Sequence, residues 1–354
     1  MSVDFSDLSS GAGDSAGTMI ARAAAASARA RIGVRAAAAD LAIPDAARLD
    51  DEAREAVRAE LDRLVGAIEA DLRTYAGRNG RAAAALASSE GLVARMIAAG
   101  LLEDEALTGE LVDRAWSGII AARLPLAPTV DDDRPSLLPR LANGPDRVVA
   151  SAAGAMLAAE ARRRGGGADA GRDDLPAELH HRLVWWTAAA LRPTAPSGAV
   201  DFALVDGARR ALAAHDEGAR LESAAERLVL ALDPEEAALP ELIDAAFDDR
   251  RLVLLAALLA HAAGLDPAAM RAILVNPPSE RLGLVLRAVG LPREMVVRIG
   301  LALAEADRRR DPARFIETIE PLLAISQAAA ADAVAAFKLP AAYRDARAAL
   351  ERAA

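Results

Sequence analysis

Apolar residues recur along most of this chain at the three-to-four-residue spacing of one helical face. The clearest case runs from Asp50 to Tyr75, where Val57, Leu61, Leu64, Val65, Ile68, Leu72 and Tyr75 share one stripe, and Asn79-Gly80 supplies a stop. Ahead of it, residues 1–15 are rich in Gly, Ser and Asp. An alanine-rich helix is expected from about Ala16 to Asp40, ending before Pro44. Behind it, shorter helices are expected at about 81–88, 89–99, 104–123 and 146–163, with a loop from Pro125 to Pro135. Gly165, Gly166, Gly167 and Gly171 read as a flexible connection. Pro176 suits the first position of a helix running to about Arg192. Pro193 and Pro196 mark the expected domain boundary. The pattern divides the chain into a tail with an alanine-rich helix (1–44), an N-terminal helical domain (45–192) and a C-terminal helical-repeat domain (199–354).

The last of these carries an internal period. Leu239-Pro240, Leu265-Asp266-Pro267 and Leu291-Pro292 place three leucines 26 residues apart, and Gly264 and Gly290 close the first two units. Each unit reads as a proline-initiated short helix, a turn, a second helix and a glycine stop. A pair of ten-residue helices cannot bury its apolar face alone and must stack on its neighbours. The expected class is therefore all-α, as a helical-hairpin repeat array or α-solenoid with an N-terminal helical region. An irregular bundle is the alternative. The final helix, about 341–353, aligns Tyr343, Ala346 and Leu350 on one stripe, the pattern expected of a terminal cap.

Composition sharpens this picture. Of 354 residues, 53% are hydrophobic but only 3% aromatic, and alanine makes up most of the excess. Alanine is the best helix former, whereas strands favour β-branched and aromatic residues. The absence of cysteine excludes disulfides, thiolate nucleophiles and Cys-ligated zinc, and fits a reducing compartment. Net charge is −10, and Lys338 is the single lysine. That balance lacks the phosphate-binding charge and stacking platforms of a nucleic-acid binder. The N-terminal residues Asp4 and Asp7 are acidic where a secretory signal is basic. The apolar run Leu252 to Leu265 is too short to span a bilayer, so no integral membrane segment is expected.

Candidate chemistry is sparse. His180 and His181 lie on the helix after Pro176, with Leu179, Leu183, Trp186 and Ala190 on one face and His181 one turn from Trp185. General base, phosphoacceptor and metal ligand are the functional readings. Two polar positions on a core helix, with His181 stacked on Trp185, is the plainer one. Phosphotransfer helices carry a lysine and small residues after the histidine, where Arg182 and Leu183 stand here. His261, inside the apolar run, reads as a hydrogen-bonded core histidine, and His215 stands near a helix end. No two histidines have the i, i+4 spacing of a zinc helix. Asp244 and Asp248 are i, i+4 and could bracket a hydrated cation, with Asp249 beside them; Asp131, Asp132 and Asp133 form a second acidic cluster. Solvated helix ends account for both clusters. Arg22, Arg29, Arg31 and Arg35 do not share one helical face, as a membrane-surface helix would require. No catalytic, cofactor-binding or metal-ligating residue is assigned, and no cofactor.

The helix Asp50 to Tyr75, the segment Leu179-His180-His181-Arg182-Leu183-Val184-Trp185-Trp186, the 26-residue units and the closing Phe337-Lys338-Leu339-Pro340 together resemble the alphaproteobacterial family known as "domain of unknown function 2336". The resemblance covers most of the chain after about residue 45. It implies a helical, HEAT-like, cytoplasmic protein and carries over no activity and no functional residue. The resulting expectation is a non-enzymatic interaction or scaffold module whose partner is another protein. A signalling regulator with a phosphoacceptor histidine and a metal-dependent enzyme using Asp244 and Asp248 are the alternatives.

Overall fold

A computed structural model describes residues 48–77, 86–125, 136–165, 171, 173–193 and 198–353. The chain separates into two compact units, 1–51 and 52–354. Of the first, only 48–51 are described, so the expected alanine-rich helix with Arg22, Arg29, Arg31 and Arg35 lies outside the described residues, as does the acidic cluster Asp131 to Asp133. Among the described residues there are sixteen α-helices and no strand.

The N-terminal helices are α1 (Asp51–Gly77), α2 (Leu92–Ala98), α3 (Glu105–Arg123), α4 (Leu137–Ala142), α5 (Arg147–Arg164), α6 (Ala177–Ala190), α7 (Gly198–Ala214) and α8 (Leu221–Leu232). The predicted stripe of α1 is its buried face, from Val57 through Leu61, Leu64, Val65 and Ile68 to Leu72. The Asp104 carboxylate opens α3 by accepting from the N–H groups of Ala106 and Leu107, and Asp146 opens α5 in the same way. Helix α4, which contains Pro139, was not legible in the apolar pattern because it is only six residues long.

The C-terminal half continues with α9 (Leu239–Asp248), α10 (Leu252–Ala263), α11 (Pro267–Val275), α12 (Ser279–Ala288), α13 (Arg293–Ala306), α14 (Pro312–Ala324), α15 (Gln327–Ala335) and α16 (Ala341–Ala353). Pro240 and Pro267 lie in the first turns of α9 and α11 and Pro292 precedes α13, as the period predicts, and aspartates cap two of the helices. Asp266 caps α11 ahead of Pro267, and Asp311 caps α14 ahead of Pro312. Gly264 and Gly290 stop α10 and α12 in the left-handed conformation, with φ of 63° and 81°. In both turns the next leucine, Leu265 or Leu291, donates its N–H five residues back, to Ala260 or Leu286.

Helix α10 is apolar all round and forms the centre of this half, with Leu254, Leu255, Leu258 and Leu259 fully buried. It packs against α8, α9 and α11. Helix α12 takes α13, α14 and α15, while α3 packs on α11 and α13 and α5 runs along α8. The carbonyls at the end of α11 are not left bare: Arg310 donates to Leu274 O at 2.7 Å and Arg309 to Val275 O at 2.7 Å. Both arginines are held by Asp307, which is fully buried, and Arg309 lies 3.6 Å over the Trp116 ring. No single helix among the described residues is long and apolar enough to cross a membrane.

Helices from either side of residues 193–198, such as α5 and α8, pack face to face within the second compact unit. Two expectations differ from the structure. His261 is exposed in the last turn of α10, since that end of the helix reaches solvent. The stripe of α16 is not packed as a terminal cap would be: Tyr343 is 57% and Leu350 73% exposed, and none of the described side chains of α16 is buried.

Candidate functional site

The structure places the histidines differently from one another. His180 is 3% exposed, and its ring stacks on that of His215, which follows α7, with centroids 4.0 Å apart and planes 9° apart. Burial, reinforced by the neighbouring His215 ring, holds its pKa down at about 4, although it donates to the backbone carbonyl of Ala211. Its Nε2 is buried without a hydrogen-bond partner, so a phosphoryl donor reaches it only if the packing of α6 opens. His181 is exposed. Trp185 Nε1 donates to its Nε2 at 3.1 Å, and the rings meet edge to face rather than stacked.

The acidic pair of α9 holds a cation of the protein's own. Arg298 of α13 reaches both Asp244 and Asp248, the latter at 2.5 Å, so a guanidinium stands where a metal would have to. Asp249 turns away, accepting the Leu137 N–H at 2.6 Å and thereby capping α4. Among the described residues no three His, Asp or Glu side chains are grouped to hold a metal ion.

The densest charge lies elsewhere, where α1, α3, α5, α8 and α11 meet. Asp174, just before α6, takes Arg63 at 2.6 Å, Arg114 at 3.0 Å and Arg163 at 2.5 Å. Arg163 continues to Glu222 at 2.9 Å. Arg271 joins Glu222 to Glu110, which Arg114 also takes at 2.7 Å. Glu60 completes the set, 2.7 Å from Arg63 and 3.3 Å from Arg114. Arg114 is only 8% exposed. Burial works against each carboxylate's charge, yet the arginines prevail. Arg163 and Arg114 hold Glu222 down at about 2, and Arg114 and Arg163 hold Asp174 far below the carboxylate range. The network joins five helices.

A cavity of about 420 Å³ opens against this network, within the range of small-molecule sites. Six arginines line it against four carboxylates, in a chain whose net charge is −10. Its apolar wall includes Met156, Leu252 and Val253, and the first turn of α10 forms part of its rim.

A second concave surface, about 510 Å³, lies between α13 and α14. Val297 and Leu301 form one wall, and Phe315, Ile316 and Ile319 the other; Ile316 is 60% exposed. Ion pairs flank it, with Arg293 on Glu320 at one side and Arg298 on Asp244 and Asp248 at the other.

Sequence reasoning missed the charge network because each member reads alone as a surface charge. A trace was present in α3, where Arg114 follows Leu107 and Leu111 on the buried stripe. His215 was placed near a helix end, but its partner could not be read from position.

These features define an all-helical chain with a charged interior cavity and an open apolar groove. The chain belongs to the family described as "uncharacterised protein conserved in bacteria (DUF2336)", whose sequence profile matches residues 119–348. The matched region holds the His180 to Trp186 segment, the 26-residue units and most of α16, while the helix Asp51–Gly77 precedes it. No curated protein and no solved structure matches.

Proposed function

We propose that this chain is a protein–protein interaction module, acting by binding rather than by catalysis, and that it receives an amphipathic helix in the groove between α13 and α14. The observation behind this reading is a pair of uncovered apolar surfaces in one chain. The groove exposes Ile316 above Phe315 and Ile319, and α16 exposes Tyr343 and Leu350. Helix α16 has thirteen residues. A helix of that length is marginal in water unless its apolar face is covered.

The occupant to which we commit is α16 of a second copy. On α16, Tyr343, Ala346 and Leu350 fall at the i, i+3, i+7 spacing with which a helix lies in a groove. The rim of the groove carries charges of both signs, as does α16, where Arg347 pairs with Glu351. The 26-residue units, read as a HEAT-like array, give the reading a physical basis: stacked hairpins cover one another internally, and the last ones leave a face open.

Sedimentation equilibrium of the full chain tests this. The wild type is expected to dimerise with rising concentration, and both Ile316→Asp and the double variant Tyr343→Asp, Leu350→Asp to remain monomeric with unchanged helical circular dichroism. A chain that stays monomeric, or a dimer that survives either change, would overturn the reading.

A further inference from the structure

The cavity beside the charge network has a surplus cation. Arg63, Arg114, Arg163 and Arg271 are matched by Glu60, Glu110, Asp174 and Glu222. Arg220 also reaches Glu222, at 3.7 Å. Besides these residues the cavity lining holds Arg164, Arg250 and Arg251 against Glu160 and Asp249. Glu160 is taken by Arg164 at 2.9 Å and by Arg251. Asp249 is taken by the Leu137 N–H and by Arg251 at 3.5 Å. Among the described residues the Arg250 side chain has no ion-pair or hydrogen-bond partner, and its Nε is buried.

Arg250 also has an unusual backbone. Its φ is 56°, the left-handed region that glycine enters freely and an arginine does not. A strained backbone that holds an unpaired cation at a cavity wall points to a task at that wall. Immediately after it, α10 begins with no capping side chain and no acid in its first turn. Its first N–H groups and its dipole therefore favour a negative charge at the same rim.

We propose that this cavity binds a phosphate-bearing small molecule, with the phosphate held by Arg250, Arg251 and the first-turn N–H groups of α10. Guanidinium forks and helix N–H groups match the oxygens of a phosphate and favour its double charge. Met156, Leu252 and Val253 supply an apolar wall for the organic part, and the volume leaves room for it.

The experiment is calorimetric titration and thermal melting of the full chain with inorganic pyrophosphate, against sodium chloride at matched ionic strength. Two variants keep the fold. Arg250→Gly removes the surplus cation and relieves the left-handed backbone. Gly118→Leu fills the cavity from α3, at a position where an added Cβ meets nothing within 4 Å. We expect pyrophosphate to raise the wild-type melting temperature by about 3 °C, saturably and beyond the chloride control. Both variants should remain folded by circular dichroism and bind at least about tenfold more weakly. No saturable rise beyond chloride, or wild-type affinity in both variants, overturns the proposal.

Discussion

Arg250 closes α9 with the same pair of backbone hydrogen bonds that Gly264 uses to close α10. Each donates three residues back, to Phe247 O at 2.9 Å and His261 O at 3.2 Å, and each following residue donates five back, at 2.9 Å in both cases. One position is a glycine with φ of 63°, the other an arginine with φ of 56°. Arg250→Gly should therefore stabilise the chain, by about 0.5–1 kcal/mol, since the strain relieved exceeds the chain entropy that glycine adds. Urea denaturation checks this; a less stable variant would mean that the arginine side chain contributes more than its backbone costs.

Asp174 is the shared counter-ion of Arg63, Arg114 and Arg163. Asp174→Asn keeps the shape and leaves the buried Arg114 and the half-buried Arg63 and Arg163 short of one charge. The expected loss is about 3–5 kcal/mol, the usual cost of breaking a buried pair from one side. Combining it with Glu222→Gln should be markedly non-additive, because Arg163 contacts both carboxylates. Simple addition of the two losses would show that the network is not one coupled unit.

Stability should fall with acid in two stages. His180 has its folded pKa depressed from 6.5 to about 4, so its neutral form contributes stability above pH 6.5 that is lost as pH falls towards 4. Glu222 is depressed from 4.5 to about 2, and its contribution, on the order of 3 kcal/mol, is present above pH 4.5 and lost as pH falls towards 2. His180→Phe should abolish the first stage and leave the second. A pH–stability profile unchanged by that substitution would contradict the assignment.

Gly300 of α13 faces the Phe315 ring so closely that an added Cβ would overlap its Cζ edge. Gly300→Ala should push α14 outward and cost about 1–3 kcal/mol, the range for overpacking a tight contact. Thermal unfolding reads the loss directly, and a neutral effect would show that the two helices are less closely apposed.

The helical class and the ends of the C-terminal helices were legible in the sequence, since prolines, aspartates and glycines act locally: Asp266-Pro267 starts α11, and Gly264 and Gly290 stop α10 and α12. Long-range partnerships were not. Arg271 meets Glu110 across 161 positions, and His180 meets His215, which follows α7. Neither partner in these pairs carries a local signal of the other. The exposure of His261 was hidden for a related reason, because an unbroken apolar run does not show which end of its helix reaches solvent.

The contact between the α13–α14 groove and α16 of a second copy is tested most directly by disulfide trapping, which is clean in a chain without cysteine. A copy carrying Ile316→Cys is mixed with a copy carrying Leu350→Cys and oxidised. A disulfide-linked heterodimer is predicted, and none when Leu230→Cys, exposed elsewhere on the surface, replaces Ile316→Cys. No linked species, or equal linkage with the Leu230→Cys control, would contradict the account.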